Sequence, residues 1–377
     1  MSAAGFGRNL AVIFSARGVA CPQHRLGPTM DRTKLDELRA KYANAAPGQS
    51  YDPEFRRITE KVFAGTDRRP KPYEGVSTFL GTPLQPGALA EPDLGGLDVA
   101  LVGVPMDLGV TNRAGARLGP RAVRSIERMG PYHHVHRVAP LAEIKAADVG
   151  DVPFRSRFSL AESHQDIEAF YSKIAAAGVA PLSVGGDHSI TLPILKAVGA
   201  RVPVGLVHID AHCDTGGPFE GSKFHHGGPF RQAVLDGVLD PERTIQIGIR
   251  GGAEYLWEFS YASGMTVIHA EEFADLGAAR TIERIQEVAA GGPTYISFDV
   301  DSLDPAFAPG TGTPEPGGLS TREAMELVRG CVGLDIVGGD VVEVAPQYDA
   351  TSNTAQAGAQ MLFEILTLIA LARLRRT

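Results

Sequence analysis

The chain has 377 residues, 21% charged and 44% hydrophobic, proportions that exclude wholesale disorder. Its formal net charge of −8 argues against nucleic acid as a partner, because that recognition needs clustered basic charge. Three scattered cysteines, Cys21, Cys213 and Cys331, exclude a disulfide framework or a cysteine zinc site and imply a reduced, soluble, cytoplasmic α/β protein.

The charge is uneven. Residues 1–95 carry a net +3 and the rest a net −11, and the first stretch holds 9 of the 26 prolines. Residues 1–95 therefore read as a leader and extended arm with short helices, and 96–377 as one large acidic domain. Leu10 to Phe14 is an apolar run of only five residues, followed at once by Arg17. That is short of the roughly 7–15 an export signal needs. Met30 is an alternative start, because a better-formed segment follows it. Residues 31–43 have helical composition. Asp52-Pro53 opens a second helix, with an acceptor at the N-cap and proline where its missing N–H costs nothing. Phe55, Ile58 and Val62 give that helix one apolar stripe, and Gly65 ends it. Residues 68–93, rich in Pro and Gly, read as extended.

From Leu97 onward short apolar runs alternate with amphipathic stretches. The runs are 99–104, 181–184, 204–209, 244–249, 266–268, 295–298 and 336–342. Helices are expected at 160–177, 192–198, 282–289 and 322–328, the last opened by a Ser320/Glu323 capping box. Apolar strands alternating with helices imply a parallel sheet covered on both faces, with ligands gathering at the carboxyl ends of its strands. Residues 361–372, interrupted by Glu364, are too short to cross a bilayer and read as a buried helix.

Acids and imidazoles fall at those strand ends. One run ends in Gly185-Gly186-Asp187-His188-Ser189, another in Asp210-Ala211-His212-Cys213-Asp214, a third in Asp299-Val300-Asp301-Ser302-Leu303-Asp304-Pro305. If the backbone stays extended, Asp210, His212 and Asp214 converge on one point, as do Asp299 and Asp301. With His188 this makes four carboxylates and two imidazoles. Mostly oxygen donors and no thiolate suit two Mn²⁺ or similar divalent ions, with Ni²⁺ as the alternative. Four carboxylates balance the charge of two such ions, and an ion pair of that kind brings a water to neutral-pH reactivity. Cys213 points away by the same alternation and is expected only to pack.

These three motifs, with Gly103-Val104-Pro105 and Arg117-Leu118-Gly119-Pro120-Arg121, resemble the ureohydrolases, the arginase and agmatinase family. The resemblance implies a three-layer α/β/α domain around a parallel sheet, assembled as homotrimers or homohexamers. It implies Asp210 and Asp299 bridging two ions, with His188 and Asp214 completing one set and His212 and Asp301 the other. His225-His226-Gly227-Gly228-Pro229-Phe230 resembles the loop whose histidine assists proton transfer, which implies that role for His226. Asp340-Val341-Val342-Glu343-Val344-Ala345-Pro346 resembles the strand end whose glutamate holds the guanidinium, which implies Glu343. A carboxylate can take two parallel N–H bonds from that planar fork. The implied reaction is hydrolysis of a small guanidino substrate to urea and an amine, with no nucleic acid or membrane partner.

The loop at 215–224 lacks the Asn- and Ser-bearing wording of arginases, so the sequence resembles the agmatinase and guanidinobutyrase branch. Lys223, Arg231 or Arg250 could pair with a carboxylate tail, and Glu220 with an amine. Trp257, near Tyr255 and Phe259, could cap a cation. The expected substrate is 4-guanidinobutanoate or a similar small guanidine, with agmatine and guanidine as alternatives. The rival readings are a single-metal zinc deacetylase and a catalytically silent metal-binding subunit of a mixed oligomer.

Overall fold

The computed structural model describes residues 31–45, 49–62, 74–88, 91–127 and 130–376. Met30 and Gly65 lie outside the described residues. The chain divides into two units, 1–56 and 57–377. In the first, helix α1 (Arg32–Tyr42) is capped by Asp31, whose side chain accepts the Thr33 N–H. Helix α2 (Pro53–Val62) begins there and crosses the division, with Asp52 accepting the N–H groups of Glu54 and Phe55. Its expected apolar stripe is not buried, and Phe55 is 65% exposed.

Among its described residues the second unit carries eight strands: β1 (Val99–Val104), β2 (Ala146–Asp151), β3 (Ala180–Gly185), β4 (Val204–Ile209), β5 (Leu239–Ile249), β6 (Thr266–His269), β7 (Pro293–Asp299) and β8 (Asp335–Val342). All pair in parallel, in the order β2-β1-β3-β8-β7-β4-β5-β6. Seven of the eight are the apolar runs of the sequence. The eighth, β2, escapes pattern reading because it carries Asp148 and Asp151. Asp148 is nonetheless fully buried, held by Arg124 Nε at 2.8 Å and by the Phe79 N–H at 3.0 Å.

The helices of this unit are α3 (Gly119–Arg124), α4 (Pro140–Glu143), α5 (Leu160–Ala176), α6 (Thr191–Val198), α7 (Pro229–Leu235), α8 (Glu258–Ser263), α9 (Ala270–Ala289), α10 (Thr321–Gly330) and α11 (Asn353–Arg376). Alternate residues of β1, β4 and β7 feed two separate apolar cores. Val99 and Leu101 pack with α9, α10 and α11 on one face. Ala100, Val102 and Val104 pack with α5, α6 and α7 on the other. This is the three-layer α/β/α architecture, and the alternation is its cause. The capping box forms, with Ser320 Oγ on the Glu323 N–H and the Glu323 carboxylate on the Ser320 N–H.

Helix α11 is 24 residues long, twice the expected apolar stretch, and by length and composition it could cross a bilayer. Within its most apolar window 78% is buried inside the protein, so its hydrophobicity serves the core. The segment before β1 is not simply extended surface. Phe79 is fully buried under the Arg124 guanidinium, 4.0 Å from its ring, and Leu84 pairs with Asp148 along the outer edge of β2. That contact covers part of an otherwise open sheet edge.

Candidate metal centre and active site

The four central strands of the sheet, β3, β8, β7 and β4, are far apart in sequence and adjacent in space. Because they run parallel, their carboxyl ends open on one edge. His188 follows β3, Asp210 to Asp214 follow β4, Asp299 ends β7 with Asp301 just beyond it, and Glu343 follows β8. Close approach at this edge requires glycine at Gly186, where a Cβ would collide with the carbonyls of Val104 and Met106.

The structure brings all six metal candidates together. His188 Nδ1 lies 2.9 Å from Asp214 Oδ2, 3.1 Å from Asp210 Oδ2 and 3.2 Å from Asp299 Oδ2. His212 Nδ1 lies 3.2 Å from Asp301 Oδ2 and 3.5 Å from Asp210 Oδ1. Asp210 is common to both groups, and all but His212 are buried.

The way they converge differs from the sequence expectation. Strand β4 stops at Ile209, and the Val300–Ser302 segment is a 3₁₀ turn, so strand alternation does not aim these side chains. Local side-chain turns do. Asp210 Oδ1 accepts the His212 N–H at 2.6 Å, and Asp299 Oδ1 accepts the Asp301 N–H at 2.8 Å. Asp214 and Glu343 sit at φ 50° and 63°, a left-handed conformation costly for such residues that occurs here at two site positions.

The donors suit cations. His188 Nε2 contacts Ser297 Oγ at 2.8 Å, and Ser297 gives its own proton to Asp340 Oδ1 at 2.6 Å. Ser297 can then only accept, which puts the ring proton of His188 on Nε2 and a lone pair on Nδ1. That Nδ1 is buried among three carboxylate oxygens without hydrogen-bond geometry to any of them. A lone pair and three anionic oxygens facing one another are stable only around positive charge. Without metal, protons serve instead. Burial opposes a charge on His188, yet the three carboxylates push its pKa well above the usual range. Burial, then Asp301 and Asp210, pushes Asp299 up well above the carboxylate range.

His208 is a site residue that the sequence reading missed. Its Nε2 lies 2.7 Å from Asp210 Oδ2. Gln246 Nε2, oriented by the Cys213 carbonyl at 2.6 Å, faces His208 Nδ1 at 3.1 Å. Nδ1 therefore accepts, and Nε2–H donates to Asp210 and fixes its orientation. The signal was available, since His208 lies two residues before Asp210, but a histidine inside a buried apolar strand reads as core.

His226 and Glu343 meet directly. Glu343 Oε1 accepts from His226 Nδ1 and from the His188 backbone N–H, each at 2.9 Å. Glu343 Oε2 is buried with no hydrogen-bond partner among the described residues. Two-pronged binding of a guanidinium is thus reduced to one open oxygen. Burial lowers the proton affinity of His226, but the Glu343 carboxylate outweighs it and raises the pKa to about 9.

Other candidates sort differently. Arg250 is buried and gives its protons to the carbonyls of Gly248, Asp301, Ser302, Glu315 and Pro316, so it pairs with neither Glu343 nor a substrate tail. Arg231 stacks on Phe259 and Lys223 on Phe224, at 4.9 and 5.0 Å. Glu220 and Gly221, both at positive φ, form the tip of a tight turn closed by Phe219 and Ser222. Trp257 packs on the His269 ring at 4.5 Å, not over a cation. Cys213 is buried and its thiol donates to the Leu256 carbonyl at 3.4 Å, away from the carboxylates.

A parallel sheet whose central strand ends present a His/Asp cluster beside a Glu–His pair agrees with a family match. The arginase family profile matches residues 97–367. The chain belongs to the arginase family and is a ureohydrolase of guanidino compounds, cleaving C–N bonds in linear amidines. It is similar to the guanidinopropionase of Pseudomonas aeruginosa, 50% identical over 302 residues that span 79% of this chain and 93% of that protein. The mitochondrial agmatinase of Gallus gallus is 47% identical, over 78% of this chain and 86% of that one. The guanidinobutyrase of Pseudomonas aeruginosa is 43% identical, over 79% and 93%. Among solved structures, proclavaminate amidino hydrolase from Streptomyces clavuligerus superimposes with a TM-score of 0.75 at 36% identity, covering 80% of this chain and all of that one.

Proposed function

We propose that the protein hydrolyses a short ω-guanidino acid, 4-guanidinobutanoate or 3-guanidinopropionate, to urea and the amino acid. The observation that carries this is Glu343 Oε2, a buried, unpartnered carboxylate oxygen beside the His/Asp cluster. It is built to accept a guanidinium N–H, a charge-assisted bond stronger than a neutral one. Two Mn²⁺ ions held by His188, Asp210, His212, Asp214, Asp299 and Asp301, with Ni²⁺ as the alternative, would supply Lewis acidity and lower the pKa of a water from about 15.7 toward 7. His226, kept cationic at neutral pH by Glu343, holds the proton that the departing amine requires.

The similarity to enzymes named guanidinopropionase and guanidinobutyrase supports an acidic tail. With Arg250 engaged, Arg231 of α7 and Lys223 of the 215–224 loop remain of the three cations to meet it. The relative named agmatinase favours a second reading, agmatine, for which the exposed Glu220 is the complementary group. The family resemblance also supports a homotrimer or homohexamer, which light scattering tests.

Urea release from 3-guanidinopropionate, 4-guanidinobutanoate, agmatine, guanidine and arginine, with manganese and then nickel, tests the reading. The guanidino acids should be turned over fastest. Preference for agmatine would move the assignment to the second reading, and preference for arginine or silence on every compound would overturn it.

A further inference from the structure

Neither ring nitrogen of His226 is open. Nδ1 is taken by Glu343 Oε1. Around Nε2 stand the Thr111 backbone N, 3.1 Å away, whose N–H can donate to the neutral ring only, and Thr111 Oγ1, 2.6 Å away, which can accept from the imidazolium. The His226 side chain is 9% exposed, whereas Thr111 is exposed, so the threonine hydroxyl meets the buried imidazole from a residue that reaches solvent.

The segment that carries Thr111 is fixed on both sides. The Gly109 N–H donates to Asp187 Oδ2 at 2.8 Å, and the Gly109 carbonyl accepts the His226 backbone N–H at 2.9 Å. Two residues beyond Thr111, the Arg113 carbonyl lies 2.7 Å from where a Cβ on Gly312 would stand, and that point is 3.8 Å from Glu343 Oε2. The Arg113 carbonyl, two residues from Thr111, and the open oxygen of Glu343 therefore flank one point beside Gly312. Arg113 pins that course by donating to the carbonyls of Thr311 and Gly312 at 2.7 and 3.2 Å.

We propose that Thr111 is a proton-relay residue, whose hydroxyl passes the His226 proton to the departing amine. The role rests on the hydrolytic reading above. In the step, the Nε2–H bond of imidazolium His226 breaks as its proton joins Thr111 Oγ1. The hydroxyl's own O–H bond breaks as that proton joins the amine nitrogen as the nitrogen leaves the guanidine carbon. His226 ends neutral, and its new Nε2 lone pair is the one that the Thr111 backbone N–H accommodates. The backbone amide thus favours the product state of the ring while the hydroxyl carries the proton. The charged groups acting on His226 are Glu343, Asp214 and Asp187, and none of them replaces the hydroxyl at Nε2.

The test compares Thr111→Val, which keeps shape and backbone amide, with Thr111→Ser, which keeps the hydroxyl. In the metal-loaded full-length enzyme, Thr111→Val should lose kcat about 100-fold, the lower end of the general acid range. KM should stay within about twofold, the alkaline limb of the kcat profile should move, and Thr111→Ser should restore most of the rate. Unaltered kcat in Thr111→Val, or equal losses in both variants, would overturn the relay. Ring-nitrogen NMR of full-length protein prepared without metal gives a readout independent of turnover. Neutral His226 should carry its proton on Nδ1, and a proton on Nε2 would overturn the geometry. An inactive wild type would instead sink the hydrolytic reading, a result separable from an active wild type whose Thr111→Val variant is unimpaired.

Discussion

Glu343 and His226 share a 2.9 Å hydrogen bond although 117 residues separate them in sequence. The same carboxylate oxygen accepts the His188 backbone N–H, so one atom ties the proton-holding histidine to the loop that carries a metal candidate. Removing the Glu343 charge should leave the burial of His226 far less opposed. The His226 pKa, about 9 in the wild type, is expected to fall to or below its ordinary value near 6.5 in Glu343→Gln. At pH 8 the wild-type ring is then cationic and the variant ring neutral. An NMR titration of the metal-free proteins reads this directly, and a variant ring still titrating near 9 would show that Glu343 is not the cause. Turnover by the loaded variant should fall about 10²- to 10³-fold, as for loss of one charge-stabilising group.

Asp210 is the carboxylate common to both halves of the cluster. Asp210→Asn leaves three carboxylates for two divalent ions, and a buried uncompensated charge is strongly unfavourable. We expect less than one tightly held ion per chain after dialysis, and a smaller rise in melting temperature on adding manganese. Elemental analysis would contradict this if two ions per chain remained.

Cys213 lies between two metal candidates but its thiol packs against the Leu256 carbonyl. Cys213→Ala should keep its full metal content and activity within about twofold. Loss of metal would place the sulfur in the centre.

Glu364, buried in α11, accepts from His133 Nε2 at 2.6 Å and from Arg329 Nη2 and Gln360 Nε2 at 2.7 Å each. Burial raises its pKa, but His133 and Arg329 outweigh that and hold it down to about 2, below an ordinary 4.5. A carboxyl depressed on folding contributes stability that is complete above its unfolded pKa and is lost as pH falls through its folded pKa. Glu364→Gln should therefore cost about 3 kcal/mol at pH 7, with the deficit shrinking between pH 4.5 and 2. Urea unfolding of both proteins across that range measures it. A deficit that does not change with pH would show that packing, not charge, is responsible.

Seven strands, the N-cap at Asp52, the capping box at Ser320 and the six-residue cluster were all legible in the chain, because each rests on local pattern. Apolar runs bounded by glycine or acid make parallel strands, and their carboxyl ends collect ligands whatever the order of the strands. The sequence could not say that β8 inserts between β3 and β7. That order, set by long-range pairing, carries Glu343 to His188 and His226. Nor could it show that side-chain turns rather than strand alternation aim Asp301 and His212, that Arg250 is exhausted by carbonyls, or that His208 supports Asp210. A buried polar group reveals its role only through its partners, and those are supplied by the tertiary structure. The opening chemistry of carboxylates and imidazoles was written locally, but the hydrogen bonds that fix which nitrogen holds a proton and which oxygen stays open exist only once the sheet has closed.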